Sequence, residues 1–146
     1  MTQQNRTLIH RYFDELLSKG NLAVMDQILA HNVTVYPPAY MGEPLRGIDA
    51  VRGWFTALRR AFPDFQFNLG EEFGDGNTIA STFRMHGTHK AEYMGLPATG
   101  NKIDLSGADV FKFANGRIQE IHIFYDTLGL VSQLGVVKWP PQPAPR

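Results

Sequence analysis

An aspartate set among apolar neighbours is the feature of this sequence best equipped for chemistry. In an extended chain alternate residues share a face, so Leu105, Gly107, Asp109, Phe111 and Phe113 line up together. Aspartate is rarely buried unless paired. Desolvation raises the pKa of such a carboxyl, which suits it to act as a general base near neutrality. The adjacent Gly107 is expected to leave space beside it. The competing reading is structural: Asp109 pairs with Arg84 or His86 across the sheet and locks it. Glu120 and His122 stand two apart on one strand face, opposite Ile121, Ile123 and Tyr125. Such a pair can relay a proton, which makes His122 the second catalytic candidate, or it can sit on an outer or intersubunit surface. His86, His89 and Glu92 suggest a metal cluster, but histidines of opposite strand parity ligate one ion poorly, so no metal is expected.

Tyr12, Tyr36 and Tyr125 can offer hydroxyls to a carbonyl oxygen, as preorganised donors do. They equally suit edge-of-core positions with their hydroxyls satisfied. Trp54, Phe55, Met85 and Phe111 are expected in the wall of a pocket or in the core. Arg59 and Arg60 are read as a solvated helix face.

These side chains need elements to hold them. Leu8, Ile9, Tyr12, Phe13, Leu16 and Leu17 recur at helical spacing, and Gly20 ends that helix. Leu22, Met25 and Leu29 predict a short second helix after Asn21 as cap. A third runs from about residue 49 to 62 and stops at Pro63. A last helix over residues 128–134 begins behind Asp126 as its cap and closes at Gly135. Strands are predicted over residues 33–36, 65–73, 79–89, 103–113 and 117–125. The turn Asn115-Gly116 marks a tight hairpin. Helices, then an antiparallel meander, then a helix is an α+β pattern. A strongly bent sheet wrapped on the helices would leave a cavity at its open end. One domain over residues 1–137 is expected, with the Pro-rich residues 138–146 as an extended tail.

Composition narrows the function further. With 146 residues the chain is long enough for one core with a pocket. Fourteen Lys and Arg balance fourteen Asp and Glu, which argues against nucleic-acid or anionic-membrane binding. The sequence has no cysteine, so disulfides, thiol catalysis and thiolate metal sites are excluded. No dinucleotide or P-loop glycine motif is present. No export signal or 18-residue apolar run is read, so a cytoplasmic protein is expected.

The segments Met94-Gly95-Leu96-Pro97-Ala98-Thr99-Gly100, Ser106-Gly107-Ala108-Asp109-Val110-Phe111, Asn115-Gly116-Arg117-Ile118 and Tyr125-Asp126-Thr127-Leu128-Gly129-Leu130, with Gln133-Leu134-Gly135, resemble the SnoaL-like polyketide cyclases of the nuclear transport factor 2-like superfamily. The resemblance implies a conical α+β barrel of antiparallel strands around N-terminal helices. It also implies cofactor-free aldol cyclisation through a strand histidine and an aspartate. Counting from Ser106-Gly107 puts Phe111 at the histidine position, and counting from Gly116 puts Ile123 at the aspartate position. Tyr36 matches a pocket-lining position of the family. The function expected is therefore cofactor-independent proton transfer on an apolar carbonyl compound, through cyclisation, isomerisation, dehydration or hydrolysis. The alternatives are a non-catalytic small-molecule-binding protein and a dimerisation module. A homodimer is expected because Ala108, Val110, Phe124 and Ile79 or Ala80 leave apolar side chains on both sheet faces.

Overall fold

The computed structural model describes residues 2–138. The Pro-rich tail expected at residues 138–146 lies, beyond Lys138, outside the described residues. Helix α1, Gln3–Arg11, starts on Thr2, whose hydroxyl accepts from the Asn5 amide at 3.1 Å. It runs into a wider π-helical stretch, Tyr12–Ser18, that buries Tyr12, Phe13, Leu16 and Leu17. Arg59 reaches back to the end of that stretch, donating to the carbonyls of Leu17 at 3.2 Å and Ser18 at 3.0 Å. Carbonyls at a helix end need such partners, so Arg59 is a tether rather than a solvated side chain. Asn21 caps the 3-10 turn Leu22–Val24, which leads into the single-turn α2, Met25–Ile28. Leu29, expected in this helix, takes extended geometry and opens β1, Leu29–Tyr36.

The elements that follow are β2 (Leu45–Arg46), α3 (Ile48–Ala61), β3 (Gln66–Asp75), β4 (Thr78–Thr88), β5 (Lys102–Ala114), β6 (Arg117–Tyr125) and α4 (Thr127–Gln133). Asn115 and Gly116 both take positive φ, 53° and 73°, the geometry of a tight β5–β6 hairpin. Asp126 accepts from the Gly129 amide at 2.8 Å and starts α4 as expected.

The six strands form one mixed sheet in the order β2-β1-β6-β5-β4-β3. This corrects the expected conical antiparallel barrel. The α+β class holds, but the sheet is open, neither closed into a barrel nor strongly curled. A barrel requires its two terminal strands to pair, and here β2 and β3 remain separate edges. Nor is the sheet purely antiparallel. After β1 and its short antiparallel partner β2 the chain leaves the sheet in α3, and it is the end of the later meander that returns beside β1. Val35 therefore pairs with Ile121 and Tyr36 with His122 in parallel. The buried sides of α1, the π-helical stretch, α3 and the inner sheet face share one contiguous core. No helix among the described residues is long and apolar enough to cross a membrane.

Candidate functional site

An apolar cleft opens between the N-terminal helices and the inner sheet face. Its free volume is about 50 Å³, or about 510 Å³ with the open space at its mouth included. Five residues with polar atoms line it: Tyr12, Trp54, Tyr93, Asp109 and Tyr125. The rest of the lining is hydrocarbon, much of it Phe62, Phe65, Phe67 and Phe83.

Asp109 lies on the floor of this cleft, 2% exposed, with Ser81 beside it on β4 and Ile123 on β6. Among the described residues its Oδ1 meets no hydrogen-bond partner, and neither does the buried Oγ of Ser81. Arg84, the partner of the structural reading, instead forms a forked pair with Asp104 at 2.8 and 3.1 Å on the solvated side. With no cation to favour the charged form, burial drives the Asp109 carboxyl well above the usual carboxylate range. Tyr12, 1% exposed, is pushed up by burial and then by the negative charge of Asp109. Gly107 leaves no open space beside the carboxylate. A Cβ there would meet the Phe124 carbonyl oxygen and Phe83 Cζ, both at 2.5 Å.

The raised carboxyl fixes a sign for pH dependence. The folded state holds this proton to higher pH than the unfolded chain does, so its stabilising contribution is full below the unfolded value. It is lost as pH rises through the folded one. Thermal melts should show wild type losing stability on that rise by more than Asp109→Asn does. Parallel melting curves across the same range would show that the carboxyl is not desolvated.

Two residues beyond Ile123 on β6, Tyr125 hydrogen-bonds to Tyr40, and its hydroxyl lies 4.0 Å from Met41 Sδ. Burial raises the pKa of Tyr40, Tyr93 and Tyr125, so all three phenols keep their protons. Tyr93 sits in the β4–β5 connection, where its backbone bridges to Leu96.

The sequence expectations divide cleanly. Tyr12, Trp54, Phe55, Met85, Ile123 and Tyr125 line the cleft with Asp109. Phe111 does not; it is fully buried against Tyr12 and Phe13, with ring centroids 5.3 and 5.9 Å away. Tyr36 and His122 stack on each other at 4.3 Å on the other face of the sheet, and Glu120 lies 3.5 Å from His122. These two residues are therefore not in the cleft. His89 is buried, with Nδ1 accepting from the Thr99 amide at 3.2 Å, while His86 is exposed on β4. Tyr93 and the four phenylalanines went unread. The strand parity of Phe67 and Phe83 was the available signal; Tyr93, in a connection, carried none.

Residues 7–134 match the SnoaL-like polyketide cyclase family. Aklanonic acid methyl ester cyclase DauD of Streptomyces sp. (strain C5) is 30% identical over 99 residues, covering 66% of this chain and 60% of DauD. Aklanonic acid methyl ester cyclase DnrD of Streptomyces peucetius is 30% identical over 98 residues, covering 66% of each. The chain thus spans less than two thirds of the length of these relatives. Among solved structures, a SnoaL-like protein from Jannaschia sp. CCS1 superposes with a TM-score of 0.84 at 21% identity, covering 94% of both chains. A polyketide cyclase-like protein from Acidithiobacillus ferrooxidans gives 0.81 at 29% identity, covering 93% of this chain and 97% of that one. With a family match across most of its length and the same architecture, the chain belongs to the SnoaL-like polyketide cyclase family.

Proposed function

We propose that the protein is a cofactor-independent enzyme that moves a proton on an apolar carbonyl compound held in the cleft, with Asp109 as its acid/base group. The observation that carries this reading is a buried carboxyl at the floor of a hydrocarbon-lined cleft, without cation or hydrogen-bond partner among the described residues. A buried carboxyl whose pKa is raised is a stronger base than an ordinary carboxylate, as proton transfer requires. As the carboxylate, Asp109 takes a proton from the carbon next to a carbonyl. The resulting enolate attacks a second carbonyl within the same molecule, and the proton returns to the new alkoxide. Ring closure of this kind agrees with the names of the DauD and DnrD relatives. The family's histidine and aspartate positions, counted to Phe111 and Ile123, offer no proton carrier, so the transfer falls to Asp109.

Exchange of acetophenone methyl protons in deuterated buffer, followed by proton NMR, tests the proposal. Wild-type protein is expected to accelerate exchange over buffer, and Asp109→Asn is not. Binding without exchange by the wild type would favour the non-catalytic small-molecule-binding reading.

We also propose a homodimer through the outer sheet face. Phe124 is 60% exposed there, and Ala80, Ala108 and Val110 are only partly covered. A solvated face of this kind ordinarily carries polar residues, and two-fold pairing is the commonest way to cover one. Sedimentation at micromolar concentration should give a dimer mass, and Phe124→Glu should give a monomer that still binds acetophenone. A monomeric wild type would remove this proposal.

A further inference from the structure

Three of the five polar residues in the cleft stand together on one wall, though separate parts of the chain supply them. Trp54 comes from α3, Tyr93 from the β4–β5 connection and Tyr125 from the end of β6. Burial holds the Tyr93 phenol protonated, and it lines the cleft together with Trp54 and Tyr125. Tyr125 is fixed from outside by Tyr40 of the 3-10 turn Ala39–Met41. The indole nitrogen of Trp54 is buried and reaches no acceptor in hydrogen-bond geometry among the described residues.

An indole N–H can only donate, and buried donors are ordinarily paired. An acceptor atom entering the cleft would meet this one. The charge of the lining narrows the acceptor's chemistry. Among the described residues no Lys, Arg or His lines the cleft, so a phosphate or carboxylate would be buried without a counter-charge from them, at high cost. A neutral acceptor on a hydrocarbon body avoids that cost. Asp109, unpartnered and 2% exposed, lines the same cleft and supplies the second polar feature such a ligand would meet.

We propose that Trp54 and Tyr93 form a carbonyl-binding subsite, in which the indole N–H and the phenol O–H donate to the oxygen of an otherwise apolar ketone or ester. Tyr125, pinned by Tyr40, is a positioning residue that holds Tyr93 at the oxygen. The subsite rests on the reading of the cleft as a ligand site and adds to it which atom of the ligand is read, and by which groups. A pocket built to hydrogen-bond an oxygen discriminates against the analogue that lacks it, because the donors are then left unpaired.

The matched pair acetophenone and ethylbenzene isolates that oxygen. Their affinities would be measured by calorimetry for wild type, Trp54→Phe, Tyr93→Phe and Asp109→Asn. The carbonyl stretch of bound acetophenone would be recorded by infrared spectroscopy. Wild type is expected to prefer acetophenone, with its stretch lowered by the donors. Trp54→Phe and Tyr93→Phe should each weaken acetophenone binding roughly three- to tenfold, as loss of one hydrogen bond predicts. Both should leave ethylbenzene unchanged and return the stretch toward its value in apolar solvent. Unchanged ethylbenzene binding also shows that each variant is folded. Asp109→Asn should keep the preference for the ketone.

Equal affinity of wild type for the two probes, or equal weakening of both in the variants, overturns the subsite and leaves the cleft a binding site. If neither probe binds wild type, the subsite and the function proposed above fall together. If acetophenone methyl exchange is absent but the ketone preference is present and lost in Trp54→Phe, the subsite stands and only the proton-transfer reading fails.

Discussion

Replacing Asp109 with asparagine is expected to lower turnover by about 10²–10⁴-fold, the usual contribution of a positioned acid or base, while ligand affinity stays within a few fold. Asparagine keeps the shape of the side chain and cannot carry the proton. Affinity should survive because most of the cleft is hydrocarbon and the carboxyl is one of only five polar residues in its lining. Steady-state kinetics on a ring-closing substrate would show the loss in kcat with KM little changed. The opposite pattern, full turnover with a lowered Tm, would assign Asp109 to stability alone. That outcome has no ready partner on the molecule, since Arg84 is committed to Asp104 and the Asp109 Oδ1 is unpaired.

The largest stability effect is expected at Phe13. This ring is fully buried and packs against Tyr12, Phe67, Phe83 and Phe111, with centroid separations of 5.1–6.0 Å. It ties the π-helical stretch to β3, β4 and β5 at once. Truncating a buried phenylalanine to alanine costs about 3–5 kcal/mol, the transfer term plus the cavity left behind. In a chain of this size that lowers Tm by roughly 10–15 °C. Phe13→Leu should lose markedly less because it keeps most of the volume. Thermal melts of the two variants decide the matter. A Phe13→Ala variant within about 1 kcal/mol of wild type would mean that the helix and sheet close over the gap.

Periodicity placed Asp109 correctly because strand parity is a local property. Gly107, Asp109 and Phe111 alternate with Ala108 and Val110, and nothing distant can alter which face they share. The same rule applied to Val33, Thr34, Val35 and Tyr36 sets Tyr36 with Thr34, on the face away from the core. The likeness to relatives points Tyr36 into the pocket, and strand parity overrides it. Phe111 shows a different limit. Its face was right, but whether an inward side chain meets a cleft or another ring depends on what packs over it, here Tyr12 and Phe13. Tyr93 was invisible for a related reason: a residue in a connection has no period, and only tertiary packing brings it beside Trp54 and Tyr125. The barrel failed at the longest range of all. Alternation identifies strands, but it does not say which edges pair, and the two-residue β2 is too short to leave a pattern.

The parallel β1–β6 seam sets an order of events in folding. Strands β3 to β6 join neighbour to neighbour, whereas Thr34 of β1 must find Glu120 near the other end of the chain. Contacts between distant residues carry the greater loop-closure cost and form late. The antiparallel hairpins are thus able to assemble while the first strand is still undocked. β1 meanwhile has only the two residues of β2 to pair with. During synthesis β6 leaves the ribosome well after β1, so the first strand and the helices packed near it wait for the later strands. Until that seam closes, β6 presents an unpaired edge, the kind that captures other chains. Crowded expression and refolding at high concentration are the conditions under which this protein should lose the most material to aggregation.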